Sequence, residues 1–362
     1  MSATTIRAPA KLILMGEHAV VYQRPALVAA LGLWLHATVS SRSTAGVGIH
    51  LAEWEHHEET SWTAIQTYAD TVRRRWHAYN KTPTAEAFAH MRGSDPAHLV
   101  KVALGEAARH APALAKTPLD LTVESSQPVG AGFGSSAAVG VAVAKACLTH
   151  HNADLPDDTL FDIALDIERR QHGTPSGVDP ATILRGGLVW AESDGDALQW
   201  HSVHARAPVL ENVRIYHTGS PNESTGTVVD AVRARRADDP AAFTEVLDRI
   251  ETTTRRLRDT LATPDVSSDT LLTLLREGEA CLEALGVVPP PVRQCIRTIE
   301  RRGGAAKISG AGALTGSGAG SLIVYHPDPD TPMWHHLRHL SEFNVPLCVE
   351  GAHPIETPYV HG

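Results

Sequence analysis

Three glycines at alternate positions, Gly130, Gly132 and Gly134, separate two contrasting stretches of this 362-residue chain. Before them, apolar and polar residues alternate over 119–123, which predicts a strand. After them, small residues from about 135 to 148 predict a helix. A strand that turns through glycines into a helix brings backbone N–H groups and the positive end of the helix to one point. The pattern therefore predicts an anion-binding loop.

The spacing of these glycines separates the loop from two common phosphate loops. A P-loop has Lys after its last glycine, whereas Ser135 follows Gly134 here, and the GxGxG spacing is not the GxGxxG of dinucleotide-binding folds. Glycines alone are equally compatible with a plain strand-to-helix turn. Ser135, Ser136 and the small-residue helix favour the anion-binding interpretation.

Composition limits the partners of the chain. There are 32 Lys and Arg residues against 41 Asp and Glu, a net charge of −9, which disfavours nucleic acid as a partner. No apolar stretch approaches the roughly 18 residues of a membrane span, and we expect no membrane partner and no secretory signal. The four cysteines form no CxxC pair, so we expect no disulfide framework and a cytoplasmic protein.

The chain length predicts two domains, and polar, turn-forming residues around 193–210 mark the boundary between them. We predict an N-terminal domain over 1–205 and a C-terminal domain over 206–362. In the second half, merging consecutive helices into layers leaves the order β-α-β-β-α-β, which is ferredoxin-like. Its elements are expected as strands at 213–218, 305–309, 320–325 and 345–350, with a late helix at 332–342.

Two carboxylates, Glu168 and Asp179, flank a short turn-forming segment that contains Pro175 and Gly177. Glu168 follows the apolar stripe of a predicted helix, at an edge where it can face a cleft. Carboxylates on neighbouring elements can divide metal binding and proton handling between them. Each carboxylate alone is more typical of an exposed structural residue. Because the two occur together after the glycine loop, a functional role is favoured.

Four stretches resemble motifs of the GHMP kinases. Residues 128–138 (PVGAGFGSSAA) are similar to the phosphate loop of that superfamily, with Phe133 where Leu is usual. Residues 8–22 (APAKLILMGEHAVVY) resemble its first motif in the mevalonate kinase version, and 168–179 (ERRQHGTPSGVD) resemble the acidic motif of mevalonate kinases. Residues 307–312 (KISGAG) resemble the third motif, which continues here into a longer run over 313–321.

The resemblance implies a two-domain α+β fold, with a left-handed βαβ crossover in the N-terminal domain, a ferredoxin-like C-terminal domain and the site between them. It also implies ATP and Mg²⁺ as cofactors and gives each matching residue a role. Asp179 would take the proton of the attacking hydroxyl beside Lys11, and Ser136 and Glu168 would hold the metal. The ATP phosphates would bind Gly130, Ala131, Gly132, Phe133, Gly134, Ser135 and Ser136. The acceptor substrate would contact Lys11, Glu17, His18, Ser176, Asp179, Thr225, Gly310 and Ala311.

Some roles stay open at this point. Asp179 is either a true base or mainly an electrostatic partner, because phosphoryl transfer depends chiefly on positioning and charge neutralisation. Thr225 is either the cap of the following helix or a ligand of a substrate carboxylate. The Trp- and His-rich region 50–95 matches no motif and is expected to form a wall of the substrate or adenine pocket.

The activity implied by the resemblance is ATP-dependent phosphorylation of the primary hydroxyl of mevalonate, a step of isoprenoid biosynthesis. A phosphomevalonate kinase is the nearest alternative, although a phosphorylated substrate calls for an extra Lys or Arg where the first motif has His18. A diphosphomevalonate decarboxylase, which is a lyase, fits the acidic motif less well. A non-catalytic sensor is disfavoured because Lys11, Glu168 and Asp179 are all present. The oligomeric state is open, with a homodimer as one candidate.

Overall fold

The computed structural model describes residues 3–128, 130–153, 155–193, 195, 198–205, 210, 212–264 and 266–356, apart from the side chain of Ala85. The strands in these ranges are β1 (Ala3–Met15), β2 (Ala26–Ser41), β3 (Val47–Leu51), β4 (His56–Thr60), β5 (Leu119–Ser125), β6 (Leu188–Ser193), β7 (Leu198–Val203), β8 (Val213–His217), β9 (Ala305–Ser309), β10 (Ser321–Tyr325), β11 (Ser341–Phe343) and β12 (His353–Ile355). The α-helices are α1 (Trp62–Lys81), α2 (Ala85–Arg92), α3 (His98–His110), α4 (Ser135–His150), α5 (Asp157–His172), α6 (Val178–Arg185), α7 (Thr225–Asp238), α8 (Pro240–Leu261), α9 (Ser268–Ala284) and α10 (Pro290–Glu300).

The first sheet has the order β12-β1-β2-β5-β3-β4, and β6 and β7 extend it from β2. The long strand β2 makes this branching possible, because its first residues pair with β6 and its last residues with β5. β3 and β5 are parallel, and the chain between them runs through β4 and α1 to α3. This βαβ unit is a crossover between parallel strands, and the left-handedness that the resemblance implied stays a prediction.

α4 packs directly on β1 and β2, between α3 and α5. Its small side chains allow this close approach, and most of them are buried. At Gly140, an added Cβ would lie only 3.1 Å from Ile167 Cγ2 of α5. The small-residue stretch of the sequence is therefore a consequence of tight helix packing under the sheet.

The second sheet has the order β11-β8-β10-β9, with every pair antiparallel. In chain order this is strand four, one, three and two of the unit, so the ferredoxin-like arrangement is confirmed. α7 to α10 lie between its first two strands in the chain. The mixed α+β fold with two sheets matches the predicted fold class.

Two local predictions in the second half are wrong. The residues expected to form a helix over 332–342 form a 3₁₀ helix over Pro332–Leu337, and the chain then extends into β11 because β8 offers a free edge there. No strand forms over 345–350. Instead, Leu347 and Glu350 make isolated bridges with Leu31 and Gly186, because Pro346 interrupts any longer ladder.

The two sheets are joined by hydrogen bonds from one serine. Ser309 Oγ, at the end of β9, donates to Ile13 O of β1 at 2.9 Å and accepts from Ile13 N at 3.1 Å. The predicted domain boundary between 205 and 206 stays a prediction, since 206–209 lie outside the described residues. The second half contributes to both sheets, because β12 pairs with β1 through Thr5 and Ile355. None of the helices in the described part of the chain is long and apolar enough to cross a membrane.

Candidate active site

The glycine loop joins β5 to α4, as the pattern predicted. Gly130, Gly132 and Gly134 have φ values of +80°, +83° and +73°, a backbone region that favours glycine. Lys11 N donates to Phe133 O at 2.9 Å, so the loop is fixed to β1. Phe133 is buried and packs edge-on against Phe343, which anchors the centre of the loop.

Lys11 and Asp179 meet beside this loop. Lys11 Nζ lies 3.2 Å from Asp179 Oδ1. Asp179 belongs to the first turn of α6, so it lies on a helix and not on irregular turn backbone. A Cβ on Gly134 would lie 2.8 Å from Lys11 Cγ and 3.3 Å from Asp179 Oδ2. The ion pair therefore packs against the last glycine of the loop, and the positive end of α6 adds to the attraction for the carboxylate.

Glu168 lies behind this pair, at the end of α5. Its side chain is buried and its Oε1 has no hydrogen-bond partner. Burial, reinforced by the negative charge of Asp179, raises the pKa of Glu168 to about 8. An unpartnered buried carboxylate oxygen is a position where a cation would be favourable.

Ser136 completes this part of the site. Its Oγ lies 2.9 Å from His172 Nε2, and the same nitrogen is 3.7 Å from Glu168 Oε2. A carboxylate and a hydroxyl are the oxygen ligands that Mg²⁺ accepts. The described residues contain no group of three or more His, Cys, Asp or Glu suited to a metal. A Mg²⁺ ion here would therefore take the rest of its ligands from water and phosphate, as is usual for this ion.

His18 connects the first motif to the third. Its Nε2 lies 3.0 Å from Ala311 O, and because a carbonyl only accepts, this nitrogen carries the hydrogen. Burial lowers the pKa of His18 to about 4, so the ring is neutral, and its buried Nδ1 has no partner. Gly310 in turn lies against the glycine loop, since a Cβ on it would be 3.7 Å from Gly132 Cα. The three motifs therefore converge.

Beneath His18 is a buried charge cluster of Glu17, Lys307 and Glu279. Glu17 and Lys307 form a short ion pair in which both side chains are at most 2% exposed. Glu279 Oε2, on α9, accepts from Ile308 N at 3.0 Å, and burial raises its pKa to about 8. Sequence reasoning missed Glu279 and gave Lys307 no role. The available signal was its spacing, because Glu279 lies four residues after Leu275 and three before Leu282, on the apolar face of the helix. Substrate contact by Glu17 stays a prediction, because Lys307 already binds its carboxylate.

Ser176 and Thr225 lie at the starts of two helices. Ser176 Oγ accepts weakly from Val178 N, at 3.4 Å, where α6 begins. The cap of α7 is Ser224, whose Oγ accepts from Thr227 N at 3.2 Å, so a capping role for Thr225 is wrong. Thr225 is exposed at the first turn, and its contact with substrate stays a prediction.

The longer third loop packs against the segment that precedes α7. Leu314 N donates to Glu223 Oε2 at 3.1 Å, and Thr315 Oγ1 donates to Glu223 Oε1 at 2.5 Å. Thr218 N donates to Gly320 O at 2.9 Å. The additional residues therefore connect the third motif to the start of α7, on the side of the site where Thr225 lies.

Comparison with known proteins finds similar sequences. The family model described as the GHMP kinases N-terminal domain matches residues 98–187, which include the glycine loop, Glu168 and Asp179. Curated mevalonate kinases are similar over most of their lengths. That of Thermococcus sibiricus is 26% identical over 97% of this chain and 94% of its own, and that of Bos taurus is 29% identical over 90% and 87%.

Solved structures share the fold. The mevalonate kinase of Methanococcus jannaschii superposes with a TM-score of 0.76 at 19% identity, over 96% of this chain and 98% of its own. The phosphomevalonate kinase of Streptococcus pneumoniae superposes at 0.68 and 16% identity, over 96% and 100%. The matched family model identifies residues 98–187 as similar to a GHMP kinases N-terminal domain, and the near full-length relatives and the common fold extend the similarity to the rest of the chain.

Proposed function

We propose that this protein is an ATP-dependent mevalonate kinase that converts mevalonate to 5-phosphomevalonate. The observation that carries the proposal is the Lys11–Asp179 pair packed against Gly134 of the anion-binding loop. This contact puts a proton acceptor and a cation beside the place where phosphate is expected. The similarity to curated mevalonate kinases supports mevalonate as the acceptor.

In the proposed reaction, backbone N–H groups of 130–136 bind the ATP phosphates at the start of α4. Asp179 removes the proton from the primary hydroxyl of mevalonate as the hydroxyl oxygen attacks the γ-phosphorus. The bond between that phosphorus and the bridging oxygen to the β-phosphate breaks, and ADP leaves with the electron pair. Lys11 stabilises the negative charge that develops on the attacking oxygen.

Ser136 and Glu168 fit Mg²⁺, because the buried Glu168 Oε1 lacks a partner and the Ser136 hydroxyl lies at the start of the helix that follows the phosphate loop. When bound with ATP, the ion would neutralise phosphate charge. His18, Ser176, Gly310 and Ala311 are the proposed walls of the acceptor pocket, with Glu17 and Thr225 as further candidates. The neutral ring of His18 can accept a hydrogen bond from a substrate hydroxyl at Nδ1.

The decisive experiment measures ADP release by the wild-type enzyme with mevalonate, phosphomevalonate, galactose and homoserine, each with Mg²⁺ and ATP. We expect rapid release with mevalonate only, and a phosphate monoester in the ³¹P NMR spectrum of the product. Faster ADP release with phosphomevalonate would show that the protein is a phosphomevalonate kinase instead. Release of CO₂ from diphosphomevalonate would show that the protein is a diphosphomevalonate decarboxylase instead.

Two further assignments belong to the same proposal. We place the protein in the cytoplasm because all four cysteines are free, as is usual in a reducing compartment. We assign 1–205 to nucleotide binding and catalysis and 206–362 to the ferredoxin-like domain. Light scattering of the purified protein decides between a monomer and a homodimer.

A further inference from the structure

His172 is the residue that contacts one proposed metal ligand and lies near the other. Its Nε2 is 2.9 Å from Ser136 Oγ, within hydrogen-bond distance. The same atom is 3.7 Å from Glu168 Oε2, which is outside that distance, so the two oxygens do not compete for it. His172 lies one helical turn after Glu168, at the end of α5, and the reaction proposed above gives it no chemical role.

The backbone immediately after His172 is held by α1. Gly173, the next residue, has φ +77°, and a Cβ on it would lie 2.5 Å from Tyr79 Cε1. Trp76 Nε1 donates to Gly173 O at 2.8 Å. Two aromatic residues of α1 therefore hold the end of α5, and this is the part of the chain that no motif explained.

Trp76 is itself held by charged residues. The Arg170 guanidinium lies 5.1 Å from the centre of its ring, within the range of a cation–π contact. Arg170 is paired with the buried Glu106 of α3 at 3.5 Å, and Glu106 also binds Arg73 of α1. α1, α3 and α5 thus form one rigid support below His172.

We propose that His172 is a positioning residue for the metal site and acts through Ser136. When the ring hydrogen of His172 is on Nδ1, its Nε2 accepts from the Ser136 hydroxyl, and both lone pairs of the serine oxygen then point away from the ring, where a cation can bind. Outer residues that orient metal ligands commonly change metal affinity by 10- to 100-fold when they are replaced. This inference rests on the proposed ATP and Mg²⁺ site, and it gives the α1 support a function.

The test compares His172→Leu, His172→Gln and His339→Leu with wild type. His339 is an exposed histidine beside α10 and serves as the control. Two affinities are measured: that of the enzyme–ATP complex for Mn²⁺, by electron paramagnetic resonance, and that of the enzyme for ATP in EDTA, by equilibrium dialysis. Neither measurement uses mevalonate. The His172 side chain is 38% exposed, so leucine leaves no large cavity, and thermal unfolding checks that each variant is folded.

We expect His172→Leu to weaken Mn²⁺ binding about 10-fold or more and to change ATP binding in EDTA less than about 2-fold. Glutamine, which can place an amide oxygen near the position of Nε2, should restore most of the Mn²⁺ affinity. In a Ser136→Ala background, His172→Leu should have no further effect, because its partner is gone. Trp76→Phe, which loses the indole donor, should weaken Mn²⁺ binding in the same direction but less.

Equal loss of Mn²⁺ and metal-free ATP affinity in His172→Leu would overturn the proposal and make His172 a direct nucleotide contact. Additive losses in Ser136→Ala would also overturn it, because His172 would then act independently of the serine. If wild type binds ATP and Mn²⁺ but releases no ADP with mevalonate, the proposed function fails and the role of His172 stands. If wild type binds no ATP at all, both fail.

Discussion

Lys11 and Asp179, from the middle of β1 and the first turn of α6, form an ion pair whose nearest atoms are 3.2 Å apart. Lys11 is almost fully buried, whereas the side chain of Asp179 is 28% exposed. The carboxylate is therefore the more accessible partner for an incoming hydroxyl. Removing its charge should leave the loop intact and affect the chemical step.

Asp179→Asn should lower kcat by about 100-fold or more, because general base catalysis typically contributes that much. The dissociation constant of ATP should change little, since the glycine loop binds the phosphates. ADP release measures kcat, and quenching of intrinsic fluorescence measures ATP binding. Asp162→Asn, at an exposed position of α5, is the control. Near-normal turnover of Asp179→Asn would show that the carboxylate is not the base.

Glu168→Gln should raise the Mg²⁺ concentration required for half-maximal activity, because a neutral amide is a poorer ligand for a hard cation than a carboxylate. Titrating activity against free Mg²⁺ at saturating ATP measures the change. Asp166→Asn, two residues earlier and engaged by Arg169, tests whether any loss of charge on α5 has the same effect. An unchanged Mg²⁺ titration for Glu168→Gln would assign the metal to other ligands.

Gly134→Ala should impair activity at least 10-fold and destabilise the protein by about 1–3 kcal/mol. The new methyl group would be strained at φ +73° and would press on Lys11, displacing it from Asp179. Gly130→Ala is a matched control, because Gly130 has a similar φ and open space around its Cβ position. Both variants should be destabilised in urea unfolding, but only Gly134→Ala should also disturb the catalytic pair.

Replacing Lys307 by Met should destabilise the protein by about 3–5 kcal/mol, because it leaves the carboxylate of Glu17 buried without a partner. Adding Glu17→Gln should recover part of that free energy of unfolding, since the unpaired charge is then removed. Urea unfolding of the two single variants and the double variant measures the coupling. Strictly additive losses would contradict a direct interaction between the two side chains.

Glu279 should make the protein less stable as the pH rises from about 4.5 to about 8. Burial raises its pKa from 4.5 to about 8, so the folded state holds a proton that the unfolded state has released. Each pH unit in this window should lower the unfolding free energy by about 1 kcal/mol. The unfolding free energy of wild type minus that of Glu279→Gln should therefore decrease as the pH rises. A constant difference would show that Glu279 is ionised in the folded protein.

The sequence patterns predicted most of the elements near the site, because each one is local. The glycine loop, α4 and α5 lie within a few residues of the predicted positions, since apolar periodicity and glycine spacing depend on neighbours in the chain. β3, β4 and β12 were missed because they are short. β12 becomes a strand only through its distant partner β1, and the β3–β4 hairpin joins the sheet only where β3 pairs with β5. The helix predicted over 332–342 is too long for a related reason, because the residues after the 3₁₀ helix pair with β8 and form β11.

Roles within the site were less predictable than positions. Lys11 and Asp179 could be paired in advance because a family resemblance relates motifs that are distant in sequence. The burial of Glu17 and Glu279 could not be predicted, because a hydropathy pattern does not show that Lys307 reaches between α9 and the first motif. The same limit applies to His172, whose contact with Ser136 joins two helices.

The pairing of β12 with β1 has a consequence for biosynthesis. β1 leaves the ribosome long before its neighbour at 353–355, which is the last of the described strands to be made. Until then, the outer side of β1 at Thr5 to Arg7 exposes unpaired backbone groups, which can pair with other chains. Nascent or truncated forms lacking β12 should accordingly be more dependent on chaperones than the finished protein.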